Sequence, residues 1–179
     1  MTGAWWDHYG PAMPLSFLPG GDIGTRITLG HMQGMVRREF LSPQVRLLAA
    51  QLVAGCGRGN GQQAYAIRDF VERHTQFLRD PSNTEMLHGP LWQLRQIQQY
   101  GSVQVDCDDV AMLSAALGLS IGLRARFIVA AFGGPKAPYQ HVWTELADPN
   151  SSLWVECDIT RPSQGFAFNS ISRTLRWEV

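Results

Sequence analysis

The sequence predicts an α+β fold, N-terminal helices followed by an antiparallel sheet, on three observations. Apolar residues first recur at helical spacing, at Leu29, Met32, Val36 and Phe40, and again from Ala66 to Leu78. From Arg126 the pattern changes to strand-like runs, Phe127-Ile128-Val129-Ala130, His141 to Leu146 and Leu153 to Ile159. Helices precede strands instead of alternating with them, which is unlike a doubly wound sheet.

Each element has a local cause. Residues 1–25 carry Pro11, Pro14, Pro19 and Gly20-Gly21 with no sustained period, and read as an irregular arm that Trp5, Trp6 and Tyr9 pin to the body. A helix over Thr28 to Leu41 follows. Ser42-Pro43 starts the next, with serine as N-cap and proline in the first helical position, and Gly55 suits its C′ position. Gly55 to Gly61 (GCGRGNG) lacks the Lys-Ser/Thr and the preceding strand of a phosphate-binding loop, so it reads as a helix–helix linker. Gln62 to Leu78 is strongly amphipathic, ending at Asp80-Pro81-Ser82-Asn83. Pro90 opens a helix that Gly101 closes. Val110, Leu113, Ala116, Leu117 and Ile121 mark another apolar helix face. Gly133-Gly134 and Asp148-Pro149-Asn150 are turns, and a last strand falls near Thr174 to Val179.

The 179 residues suffice for one core, burying about 70 % of the extended surface without staples. Fifteen Lys+Arg balance fifteen Asp+Glu. That balance argues against a nucleic-acid or anionic-membrane partner, which needs a basic excess. No run reaches the roughly 18 apolar residues of a membrane span, and the start shows no basic n-region before an apolar core. Three cysteines, Cys56, Cys107 and Cys157, make no complete disulfide framework and no CxxC pair. The expectation is a reducing compartment with free thiols.

Cys107 lies where an extended stretch meets the apolar helix, in Val105-Asp106-Cys107-Asp108-Asp109-Val110. With Asp106 as N-cap, the thiol sits in the first turn, where the helix dipole favours a thiolate. Three flanking acids oppose it unless they point away or are paired. A cationic partner is therefore required, and His141 is the candidate. Strand alternation puts His141, Trp143 and Glu145 on one face, and Trp154, Glu156 and Asp158 together on a neighbouring strand. Asp158 can then orient His141 while Cys157 points into the core. Nucleophile, base and orienter are all available if the two strands pair. Cys56 and Cys157 read as inert. A metal site from Asp106, Asp108, Asp109 and His141 is disfavoured because consecutive residues point in different directions. No cofactor and no metal are expected. Gln104, Gln98, Gln99 and Trp92 are candidates for a second oxyanion donor beside the Cys107 N–H. Trp143 and Trp154 are groove walls or packing. Six acids, Asp106, Asp108, Asp109, Glu145, Glu156 and Asp158, suggest a locally acidic cleft.

Asp106-Cys-Asp-Asp109 entering a helix, His141-Val-Trp-Thr-Glu145 and Trp154-Val-Glu-Cys-Asp-Ile-Thr160 resemble the three core motifs of the transglutaminase-like superfamily. Gly24 to Leu29, Ile67 to His74, Phe77 to Pro81 and Glu85 to Pro90 look like segments of short transglutaminase-like proteins of tailed phages and prophages. The resemblance implies a papain-like core over residues 26–179 as a single domain. It implies acyl transfer through a thioester, with Cys107, His141 and Asp158 as nucleophile, base and orienter and a protein or peptide amide as substrate. It also implies a bacterial cytoplasm or phage virion, with phage proteins as partners. The chain departs from animal transglutaminases in having Asp-Cys-Asp around the nucleophile and no acidic calcium loop, which argues against cross-linking and calcium dependence. Hydrolysis is slightly preferred because nothing in the chain suggests a dedicated amine site. The alternative is a non-catalytic phage structural or interaction protein that retains the fold.

Overall fold

In the computed structural model, which describes residues 13–15, 18–57, 59, 61–80, 85–160 and 171–179, helix α1 (Gly21–Glu39) starts earlier than its apolar spacing predicts. The irregular arm is thereby shortened, and it also contains strand β1 (Met13–Leu15). Packing overrides propensity in this first turn. Gly24 is buried so close to the preceding chain that a Cβ would lie 2.0 Å from the Pro19 carbonyl oxygen, and Thr25 Oγ1 donates to the Gly21 carbonyl. Trp5, Trp6 and Tyr9 lie outside the described residues, as does the turn at 81–83.

Helix α2 (Pro43–Leu52) begins as its sequence dictates, with Val45 N–H donating to Ser42 Oγ at 3.4 Å and proline in the first turn. Its end differs: Val53 caps it and Cys56 N–H turns back to the Val53 carbonyl, so Gly55 is not the left-handed residue. Gly59 and Gly61 are left-handed instead, and Gly61, at φ +71°, starts α3 (Gln62–His74), where a Cβ would meet Val155 at 2.7 Å.

Helix α3 stops short of Leu78. Thr75–Phe77 is strand β2, which pairs in parallel with β4 (Val103–Val105). Strand β3 (Glu85–Leu87) pairs antiparallel with β1. Helix α4 (Pro90–Tyr100) is bounded by Pro90 and by Gly101 at φ +82°. Helix α5 (Cys107–Ser120) is apolar on every side, and every residue from Asp108 to Gly118 is buried. A helix hydrophobic all round belongs in a core. Helices α1 to α4 surround it.

The sheet closes the other side of α5. Its strands are β5 (Arg124–Phe132), β6 (Tyr139–Ala147), β7 (Val155–Glu156) and β8 (Ile171–Glu178), in the order β7-β6-β5-β8, all antiparallel. Val142 and Leu146 enter the main core, and Thr144 Oγ1 donates to the Ala111 carbonyl at 2.6 Å. The opposite face carries a small cluster of Ile128, Ala130, Phe132 and Trp143. The α+β architecture, with helices first and an antiparallel sheet after them, is as the sequence predicts.

Candidate active site

Strand β4 delivers the chain to α5 with Val103 and Val105 buried and Gln104 outward. Asp106 then occupies the N-cap position, in an extended conformation, and Cys107 is the first helical residue, half-buried. The side chain of Asp106 makes no capping bond, contrary to the sequence reading. Its carboxyl belongs instead to a cluster of acids described below.

Alternation along β6 places His141 on the face opposite Val142. Pairing with β7, in register Glu145 with Glu156, continues through a bond from Cys157 N–H to the Thr144 carbonyl at 2.8 Å. Cys157 therefore points into the core and Asp158 away from it. The structure brings His141 and Asp158 together: Nε2 and Oδ2 lie 2.9 Å apart, and both side chains are fully buried. A carboxylate has no proton to give, so Nε2 is the donor, and Nδ1 is the nitrogen on the far side of the ring. The Trp143 ring stacks beside the imidazole with centroids 5.6 Å apart.

Cys107 and His141 line one cavity of about 760 Å³. Its other walls come from α1, including Leu29 and Met32, from Phe77, Arg79 and Asp80, from Glu85, and from Tyr139 and Gln140. Asp158 sits behind the imidazole and does not line it. Arg173 fixes the rim: it bonds both carboxylate oxygens of Asp22 at 2.6 and 2.9 Å and lies 4.1 Å over the Tyr139 ring.

The flanking acids have separate fates. Asp109 accepts from the His88 backbone N–H at 2.6 Å and from His88 Nδ1 at 2.8 Å. Gln93 Nε2 clasps the pair, donating to the carbonyls of both His88 and Asp109 at 2.8 Å. Burial still outweighs the His88 contacts, and the Asp109 carboxyl is pushed up to about 7. His88 is raised as well: burial lowers it, but the bond to Asp109 and the surrounding acids prevail. Asp108 is held well above the ordinary carboxylate range, first by burial and then by Asp106. Burial, which holds the Asp108 carboxyl above its ordinary range, and the pairing of Asp109 with His88 both lessen the negative charge that opposes a thiolate beside them. Cys157 is pushed up to about 12 by burial, which suits an inert thiol.

Several expectations are corrected. Glu145 does not face the cavity but pairs with Arg126, 2.6 Å from Nη2. Trp154 is no groove wall: Arg124 and Arg126 stack over it, 4.7 and 3.8 Å from its centroid. The acidic cleft exists, but Asp80, Glu85, Asp106 and Asp108 make it. Of the proposed oxyanion donors, Gln98, Gln99 and Gln104 are exposed, Trp92 stacks on His88 at 4.3 Å, and none lines the cavity. Gln140 does line it, with Oε1 held by the Phe132 N–H at 3.2 Å. The carboxylate oxygens of Asp106, Asp108 and Asp109 converge within 4.8 Å, so these neighbours do not diverge as the sequence argument supposed, and His141 is not among them. No helix among the described residues is long and apolar enough to cross a membrane.

His88 and Gln93 are invisible to sequence reasoning in their roles. The segment Glu85 to Pro90 stands out by resemblance, but nothing in a single chain joins His88 to an acid on another element.

Residues 46–159 match the model of the transglutaminase-like superfamily, a stretch that includes Cys107, His141 and Asp158. No curated protein matches the chain. Among solved structures, the chain is similar to the 1.9 Å crystal structure of a candidate cysteine protease from Cytophaga hutchinsonii. The two share 19 % identity with a TM-score of 0.49, over 76 % of this chain and 45 % of that one, so the alignment spans under half of its length. With well over half of its residues inside the family match, the chain belongs to the transglutaminase-like superfamily.

Proposed function

We propose that the protein is a thiol-dependent acyl hydrolase acting on an amide of a protein or peptide, with Cys107 as nucleophile, His141 as base and Asp158 as orienter. One observation carries the reading: His141 is held by a fully buried bond to Asp158 while sharing a cavity with a cysteine in the first turn of a helix. Superfamily membership supports thiol chemistry in general terms.

In this scheme Nδ1 of His141 takes the Cys107 proton, and the sulfur forms a bond to the amide carbonyl carbon. Asp158, fixed at Nε2, stabilises the imidazolium. The imidazolium returns its proton to the amine as the C–N bond breaks, leaving a thioester on Cys107. Water, deprotonated by the same imidazole, then attacks the thioester; the acid departs and the thiol is restored. The N-terminal amides of α5 and the positive end of its dipole lie where an oxyanion would form.

Iodoacetamide labelling of single-cysteine variants tests the assignment. Cys107 should react at least about ten-fold faster at pH 7 than Cys157, whose thiol is pushed up to about 12. His141→Ala should shift the rate–pH curve of Cys107 towards that of a free thiol. An unchanged curve, or faster labelling at Cys56 or Cys157, overturns the reading.

A further inference from the structure

Gln140 stands beside the proposed base, where the ladder of the sheet is interrupted. Ala130 pairs with His141 but Ala131 pairs with Tyr139, so Gln140 is the extra residue of a bulge in β6. A second bulge faces it across β5. There Ala131 pairs with Arg173 and Phe132 with Ile171, which leaves Ser172 as the extra residue of β8. Side chains fill the broken ladder on both sides. Ser172 Oγ donates to the Ala131 carbonyl at 2.9 Å, and the Phe132 N–H donates to Gln140 Oε1 at 3.2 Å. Bulges re-aim side chains next to functional sites. Strict alternation puts Gln140 and His141 on opposite faces, yet both line the cavity with Cys107. The bond from Phe132 also fixes which way the carboxamide lies. Its oxygen takes the main-chain proton, and Nε2, with two N–H donors, is the end left over. Gln140 is exposed, so those donors are open to whatever enters the cavity.

We propose that Gln140 Nε2 donates to a carbonyl on the departing side of the substrate, so that the amide consumed has a further carbonyl beyond its nitrogen. The proposal rests on the acyl-transfer reading of the same cavity. In that reading the imidazolium hands its proton to the amine, so the leaving group lies against His141. The acyl oxygen turns instead to the amides of α5. Gln140 is the chain neighbour of His141 and belongs to β6, which puts its donors on the leaving-group side. With Oε1 already held, the carboxamide loses little rotamer freedom when a carbonyl arrives. The acceptor is an uncharged one. Asp80, Glu85 and Asp106 line the same cavity against the guanidinium of Arg79, and a terminal carboxylate meets like charge there. The bond broken thus lies within a chain or ahead of a carboxamide, not before a last free carboxylate.

Partition of an acyl enzyme tests this with simple probes. p-Nitrophenyl acetate acetylates a nucleophilic thiol whatever its natural substrate, and the site that releases an amine also admits one. The incoming nitrogen bonds to the thioester carbon, the C–S bond breaks, and a nitrogen proton passes through His141 to the sulfur. Glycinamide carries the carbonyl, ethylamine lacks it, and glycine replaces it with a carboxylate. Acetylated products are measured at equal free-base concentrations, less a Cys107→Ala blank, and divided by the yields from a free acetyl thioester in solution. Glycinamide should then be favoured about ten-fold over both other amines. Gln140→Glu keeps an acceptor for the Phe132 N–H but loses the donor, whereas Gln140→Met loses both. Each should abolish the preference at pH 7.5, and Gln140→Glu carries the test if Gln140→Met disturbs the sheet. A preference that survives in Gln140→Glu overturns the proposal, because the amide then serves the bulge alone. Equal capture of glycine overturns it too. Failure to form an acetyl thioester at Cys107 overturns the catalytic reading, and this inference falls with it. A thioester that partitions without regard to the carbonyl overturns this inference alone.

Discussion

Asp109 is the flanking acid whose removal leaves the most behind. Its two oxygens satisfy the backbone N–H and the ring of His88, and Gln93 spans the carbonyls of both residues. These bonds join the turn before α4 to the first turn of α5, so they set where Cys107 stands. Asp109→Ala strands two half-buried donors, and a loss of about 1–3 kcal/mol is expected from urea denaturation. Asp109→Asn keeps one acceptor and should lose about half as much. A larger loss in Asn than in Ala would mean that the pair is not held by these bonds. The sequence shows Asp109 as one acid in a run. Its partner is legible only once β3 and α5 are seen side by side.

Among the elements, α5 and β6 make the contact on which the site depends. Gly118 allows it: a Cβ there would meet Leu146 Cδ2 at 2.5 Å, and Leu146 is wholly buried and has nowhere to turn. Gly118→Ala should therefore cost about 1–3 kcal/mol in denaturant midpoint, despite the better helix propensity of alanine. Elements with local punctuation were legible in the sequence, as with α4 between Pro90 and Gly101 or α2 behind Ser42-Pro43. The alternation of β6 and of the segment around Asp158 likewise predicted that His141 and Asp158 share a face. The three-residue strands were not legible. Thr75–Phe77 continues the apolar spacing of α3, and its partner β4 lies far along the chain, so only tertiary pairing separates strand from helix. The start of α1 was hidden for the same reason: Gly21, Gly24 and Thr25 are poor helix formers, and the packing of Gly24 on Pro19 decides the matter.

At the scale of the molecule, the buried acids set the response to pH. Asp109 has an ordinary value of 3.8 and is pushed up to about 7 in the folded chain. Asp80, Glu85 and Asp108 are raised in the same direction. Between the unfolded and folded values the native state holds more protons, so stability falls as pH rises. His88 acts with the same sign: raised on folding, it contributes below its ordinary value of 6.5 and the contribution is lost as pH rises through the folded value. The melting temperature should therefore drop by about 5 °C or more from pH 5 to pH 7.5. Differential scanning calorimetry checks this, and Asp108→Asn should flatten the slope. A melting temperature that rises across that interval would contradict the assigned proton inventory.

The strand order β7-β6-β5-β8 also bears on how the chain is made. Helices α1 to α5 leave the ribosome before any strand of the main sheet, so Cys107 is synthesised ahead of His141 and Asp158. Strand β5 then has β6 on one side but an open edge on the other until β8 follows. Such an edge offers unpaired amides to any neighbouring chain, and contacts this distant in sequence form late. A nascent chain thus carries its cysteine in an unfinished setting until β8 docks, and Cys107 waits for His141 and Asp158 until the sheet that carries them has formed.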